Sequence, residues 1–151
     1  MRTVLKIALC LIVFSMLASC ASVPLANSEQ DAAGKEFLPS QDKAILYLVR
    51  PSGMVGFAIN ISPVVDRQFV GTLKVGTYAM VEVGSGKHTV SMVGTGFGSC
   101  DAVEFEAKAG HLYFFKVYPK MGMFIPGLDV QQLNEEKGKK LIKKSKLVVS
   151  A

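Results

Sequence analysis

No grouping of cysteine, histidine and carboxylate residues in this 151-residue chain has the spacing of a zinc site. Only two histidines are present: His111 follows Gly110 directly and His88 follows Gly86 after one lysine, each at the start of a strand-like run. A metal-binding pair would need neighbouring strands and a carboxylate to join them. The plainer reading is a ring packed beside its turn and bonded to backbone. No serine stands in a sequence relation to either histidine that implies a nucleophile and its base, so no catalytic residue is assigned. Gly94, Gly96 and Gly98 lack the following helix that would bring amides and dipole to a phosphate, and they read as a flexible loop. Charge is also scarce. The 17 bases and 12 acids leave +5, too mild a balance to imply nucleic acid. No apolar run reaches the roughly 17–25 residues of a membrane-spanning helix.

What is present begins at the N-terminus. Arg2 and Lys6 precede an apolar run from Ile7 to Met16 in which Ser15 is the only hydroxyl. This pattern is that of an export signal. Leu17-Ala18-Ser19-Cys20 follows, an aliphatic residue, two small ones and a cysteine. It resembles the lipobox of bacterial lipoproteins. That resemblance implies cleavage before Cys20, with Leu17, Ala18 and Ser19 recognised by the peptidase. Cys20 would then carry a diacylglyceryl thioether and an N-acyl chain, and no other cofactor is expected. Two or more chains make such anchoring stable. Ala21, where an Asp would favour inner-membrane retention, points to the outer membrane, facing the periplasm.

Removing residues 1–19 changes the chain's balance. Arg2 and Lys6 leave with the signal, so 15 bases face 12 acids in the mature chain, a net +3. Of three cysteines, Cys10 is discarded and Cys20 is acylated, which leaves Cys100 alone in an oxidising compartment without an intramolecular partner. No Lys or Arg adjoins Cys100 to activate it, and a buried free thiol or an unpaired loop residue is expected ahead of pairing with a partner's thiol.

Residues 20–43 read as the lipidated cysteine and a flexible tether. Ser22, Pro24, Asn27, Ser28, Gly34, Pro39 and Ser40 punctuate it, and the square-root rule gives an end-to-end distance of about 25 Å. Residues 44–151 read as one domain. Ala44 to Arg50 is nearly continuous in strand formers, as in a strand buried on both faces. Ala58 to Val65 reads as an edge or bulged strand because of Pro63. A turn at Asp66-Arg67-Gln68 leads to a short strand from Phe69 to Leu73. Tyr78 to Val83 and Lys87 to Val93 flank Gly84-Ser85-Gly86, a hairpin signal. Lys87 to Val93 places His88, Val90 and Met92 on one face, and Asp101 to Ala107 alternates as well. His111 to Tyr118 is the most strand-like run, and Pro119 is expected to end it. Leu128 to Leu133 reads as a last strand. Asn134 to Lys146 reads as a helix, with Asn134 capping it, Glu135 and Glu136 at its positive end and lysines at its negative end. Gly138 weakens that helix by about 1 kcal/mol relative to Ala. The expectation is all-β: a small sandwich of seven to eight short antiparallel strands with a short C-terminal helix.

The order of Ala44-Ile45-Leu46-Tyr47, Arg50-Pro51, Val70-Gly71-Thr72-Leu73, Gly76-Thr77-Tyr78, Gly86-Lys87-His88-Thr89-Val90 and Ala109-Gly110-His111-Leu112-Tyr113-Phe114 resembles the DUF2846 family of exported bacterial proteins. The resemblance runs from about Ala44 to Val148. It implies a small β-sandwich and supplies no catalytic residues to carry over.

The function expected from these readings is a non-enzymatic envelope lipoprotein, a sandwich that meets other envelope proteins or the cell wall. The alternative is a periplasmic binding protein holding a small or lipidic ligand between its sheets, and a hydrolase is a weaker third. Two features offer contact surfaces. Met121, Met123, Phe124 and Ile125 form an apolar cluster, read as core or as a partner-binding patch. Lys137, Lys139, Lys140, Lys143, Lys144 and Lys146 stand against Glu135 and Glu136, a local +4 read as a solvated helical face or as a contact with an anionic surface, phospholipid headgroups or acidic wall polymer.

Overall fold

β1 (Ala44–Arg50) is buried at every position. Its alternate side chains serve two different cores. Ala44, Leu46 and Leu48 join the larger apolar cluster, and Ile45, Tyr47 and Val49 join a second, aromatic one. A strand can do this only at the centre of a sheet covered on both faces. The computed structural model describes residues 23–53, 56–94, 98–120 and 127–150.

In chain order the elements are α1 (Ser28–Gly34), β1, β2 (Ile61–Val65), β3 (Gln68–Phe69), β4 (Thr77–Val83), β5 (Gly86–Gly94), β6 (Gly98–Ser99), β7 (Val103–Ala107), β8 (Leu112–Lys120), β9 (Gly127–Leu133), α2 (Glu135–Lys143) and β10 (Lys146–Leu147). One sheet has the order β10-β4-β1-β8-β9. The other has the order β3-β2-β5-β6, with β7 also paired to β5. The two inner faces enclose Leu46, Leu48, Val90, Met92, Phe115 and their neighbours. The sandwich expected from sequence is therefore present. It has ten strands among the described residues, and the pairs β1–β8 and β4–β10 are parallel.

The outer face of the first sheet is covered, not solvated. Tyr47 and Phe114 stack at 5.1 Å, and Phe37 tilts against both. Ile142 of α2 is fully buried there, a contribution of about 1.5–3 kcal/mol. α2 comes this close because Gly138 has no side chain: a Cβ there would lie 2.2 Å from Phe114 Cγ. Gly138 is a packing residue, and its small propensity cost is offset by contact.

Four sequence expectations change. The region from Val23 onward is not a free tether. Leu25 bridges Val148, Ala26 N–H donates to Leu147 O, and Val149 N–H donates to Pro24 O. Asn27 and Gln30 form a capping box that starts α1. The Tyr47 hydroxyl donates to Gly34 O at 3.0 Å, and Phe37 is buried. Second, Gly84-Ser85-Gly86 is not a hairpin turn. β4 pairs with β1 and β10, whereas β5 pairs with β2, β6 and β7, so the three residues carry the chain from one sheet to the other. Third, β8 runs through Pro119 to Lys120, opposite β9. Fourth, the stretch from Phe69 to Leu73 shortens to Gln68–Phe69 and one bridge between Leu73 and Ile61.

Arg50 is buried, with 2 % of its surface exposed, and no carboxylate among the described residues pairs with it. Its guanidinium donates to the carbonyls of Gly56, Ile59 and Leu73. It thereby ties both loops at that end of the sandwich to β1. Burial lowers its pKa.

Candidate functional site

The two long sides of the sandwich end differently. On one side β9 closes against β5 and β6. Leu128 Cδ1 would lie 2.9 Å from a Cβ at Gly94, so Gly94 serves close packing. Gly94 pairs with Gly98, and residues 95–97 lie outside the described ones. On the other side β10 covers only Thr77 and Tyr78 of β4. From Met80 to Gly84 the edge of β4 lines a cleft of about 300 Å³, with Val65, Asp66, Phe69 and Val70 opposite it. A second, more apolar groove of about 530 Å³ adjoins it, lined by Ala33, Met80, Leu147, Val149 and Ser150 among others. Met80 and Ser150 line both.

The β2–β3 turn shapes one wall of the cleft. Asp66 and Arg67 both adopt positive φ, 48° and 67°, as a two-residue hairpin with the twist of its strands requires. The strain at Asp66 is offset by its bonds across to β5. Asp66 Oδ1 accepts from Thr89 N–H at 2.9 Å, and Oδ2 lies 2.6 Å from His88 Nδ1. His88 Nε2 lies 3.1 Å from Gly84 O. Both ring nitrogens thus face acceptors. Burial alone would raise the Asp66 carboxyl pKa. The bonds from His88 and Thr89 outweigh it, and the net shift is downward.

This geometry fastens the turn to the strand. A base for a nucleophile needs a free nitrogen, and Nε2 of His88 is already held by main chain. His111 Nδ1 likewise lies 3.0 Å from the Ala109 carbonyl. The two histidines stand on or beside β5 and β8, in different sheets, and are not brought together as a pair. Among the described residues no three His, Cys, Asp or Glu side chains gather as metal ligands. Cys100 is half-buried and free. Burial, with the Asp129 and Asp101 charges, pushes its thiol above the usual range, although backbone hydrogen bonding opposes this. It is a poor thiolate.

The six lysines of the C-terminal region lie on or just after α2 and on β10. Lys137, Lys140, Lys143, Lys144 and Lys146 are exposed. Lys139 is engaged with Glu135 at 2.5 Å and lies 5.2 Å from the Phe37 ring centroid. Asn134 accepts from Lys137 N–H as the expected N-cap. Leu17, Ala18, Ser19, Cys20 and the Met121 to Ile125 cluster lie outside the described residues. No helix among the described residues is long and apolar enough to cross a membrane.

Sequence reasoning missed the Asp66–His88 bond, the burial of Arg50 and the open β4 edge. The first joins residues 22 positions apart, and no local pattern announces it.

Comparison with known proteins adds one family and one relative. The family model described as a protein of unknown function, DUF2846, matches residues 40–128. An uncharacterized protein of Haemophilus influenzae (strain ATCC 51907 / DSM 11121 / KW20 / Rd) is 31% identical over 136 residues, covering 89% of this chain and 79% of that protein. No solved structure matches.

Proposed function

The chain belongs to the DUF2846 family, and on that footing we propose that it is a non-enzymatic lipoprotein of the cell envelope, anchored through Cys20. It is read as an interaction module held on the outer membrane and facing the periplasm. The observation that carries this reading is the ordered signal: basic start, apolar run, then Leu17-Ala18-Ser19-Cys20. The position of Val23 refines the reading. Only Ala21 and Ser22 separate Cys20 from chain fastened to the C-terminal strand, so the lipid holds the domain with little slack.

The test is metabolic fatty-acid labelling of the wild type and Cys20→Ser. Label in the wild type alone supports the anchor, and equal label in both removes it. Crosslinking in intact envelopes would then identify the protein or wall polymer that the module meets.

The two adjoining grooves favour a second reading, a carrier of a small or lipidic ligand. Volumes of about 300 and 530 Å³ fall at the lower end of the range of ligand pockets. Both open at the side of the sandwich, and the space between the sheets is filled by side chains. Native mass spectrometry of the Cys20→Ser protein distinguishes the two: a co-purifying mass lost on Met80→Arg supports the carrier, and a bare chain supports the module.

A further inference from the structure

Six large apolar side chains are left exposed among the described residues: Leu25, Leu38, Phe57, Phe69, Val93 and Val149. Three of them belong to one neighbourhood. Leu25 and Val149 flank the hydrogen bonds that join residues 24–26 to residues 147–149. Phe69 lines the cleft at the β4 edge together with Ser150. Gly71, two residues beyond Phe69, packs against this strand: a Cβ there would lie 3.3 Å from Val149 O. Val23 is buried in the same cluster as Val70 and Val148. Single exposed apolar residues are ordinary, but a group beside one point of the fold calls for a cover.

The chain supplies the argument for what covers it. Cys20 lies three residues before Val23. Even fully extended, that stretch spans only about 11 Å. The headgroup layer of one leaflet is itself about 5–8 Å thick. A cysteine whose acyl chains are in the bilayer therefore holds Val23, and the apolar side chains around it, at the membrane surface. We propose that the edge bearing Leu25, Phe69 and Val149 is a membrane-docking surface that rests on the leaflet in which Cys20 is anchored. This inference rests on the anchoring reading above and adds to it an orientation. The open β4 edge and its two grooves then face the lipid, and the Arg50 end, with Phe57, points elsewhere.

The absence of tryptophan from the whole sequence makes the test clean. Phe69→Trp and Phe57→Trp each introduce a sole tryptophan at a site already 61% or 75% exposed, so neither perturbs the core. The full-length, processed protein is reconstituted into phosphatidylethanolamine–phosphatidylglycerol vesicles with lipids brominated at shallow chain positions. Fatty-acid labelling is followed in the same preparations. Emission from the Phe69→Trp protein should shift to the blue and lose at least half its intensity to the bromines. Emission from the Phe57→Trp protein should stay near its value in unbrominated vesicles. Equal quenching of the two, or none in either, in labelled protein overturns the docking surface and leaves the anchor standing. Absence of label in either preparation overturns the anchor, and the docking surface with it.

Discussion

The two long sides of this sandwich are built from similar strands and finished in opposite ways. On the β9 side, Gly94 gives up its side chain so that Leu128 can close the seam. On the β4 side, β10 stops after two paired residues, and the seam stays open from Met80 to Gly84. The closed side has the character of core, where volume is matched and a change is felt. The open side leaves Phe69 and Val149 in solvent, and such positions are ordinarily cheap to change. The open side is also where the first described residues, from Val23, pair with the C-terminal strand.

The contrast can be broken most severely from outside both seams. Arg50→Met removes the donor from three carbonyls at one end of the sandwich. Each buried acceptor left unpaired costs about 1–3 kcal/mol, so a loss of about 3 kcal/mol or more is expected in denaturant unfolding. A loss under about 1 kcal/mol would mean that water replaces the guanidinium. On the closed side, Gly94→Val forces side-chain atoms into Leu128 and should cost about 1–3 kcal/mol by overpacking. Gly138→Ala should behave alike, because Phe114 leaves no room for a Cβ, although Ala is the better helix former. On the open side, Phe69→Ser should stay within about 0.5 kcal/mol of wild type. A large loss there would mean that the cleft is part of the core.

A smaller effect concerns pH. Asp66 has its carboxyl pKa lowered in the fold, so its bonds to His88 and Thr89 stabilise the turn above the ordinary carboxylate range. That contribution is lost as pH falls through the lowered value. The carboxylate is 43% exposed, and solvent screening keeps the loss small. Asp66→Asn retains a residue that tolerates positive φ, and its stability profile should flatten between about pH 5 and pH 2 relative to wild type. An unchanged acid limb would show that the pair does not couple to folding. The smallest expected effect is that of the lysines. Replacing Lys137, Lys139, Lys140, Lys143, Lys144 and Lys146 by glutamine should leave the fold intact and weaken cosedimentation of the Cys20→Ser protein with anionic vesicles at low salt. Binding indifferent to vesicle charge, or to the substitutions, makes them a solvated face only.

Much of the fold is legible because alternation records burial. Val90 and Met92 are buried on β5 as their period requires, His88 two residues before them is half-buried, and the unbroken apolarity of β1 reports a strand covered twice. The helix after Asn134 is legible from its cap and its charges. Pairing is not legible. Gly84-Ser85-Gly86 has the composition of a hairpin, but the same small residues suit a chain that turns a corner between sheets. The parallel neighbours of β1 and β4 come from distant parts of the chain and leave no local trace. α1 was hidden by its length of seven residues and by the Pro, Ser and Gly around it. Its one signal is Asn27 three residues before Gln30. The candidate site is the least legible part, because an edge without a partner is a property of the whole sheet.

Residues 23–37 belong to the fold, so that the lipid proposed at Cys20 would grip the domain and not a long tether. Hydrogen exchange of the Cys20→Ser protein tests this most directly, at the amides of Ala26 and Val149, whose acceptors are Leu147 O and Pro24 O. Both amides should exchange far more slowly than an unstructured chain, with protection that persists across the Asn27 to Phe37 segment. Exchange of Ala26 at the rate of a free peptide, with Val149 unprotected beside it, would restore the tether and contradict the account.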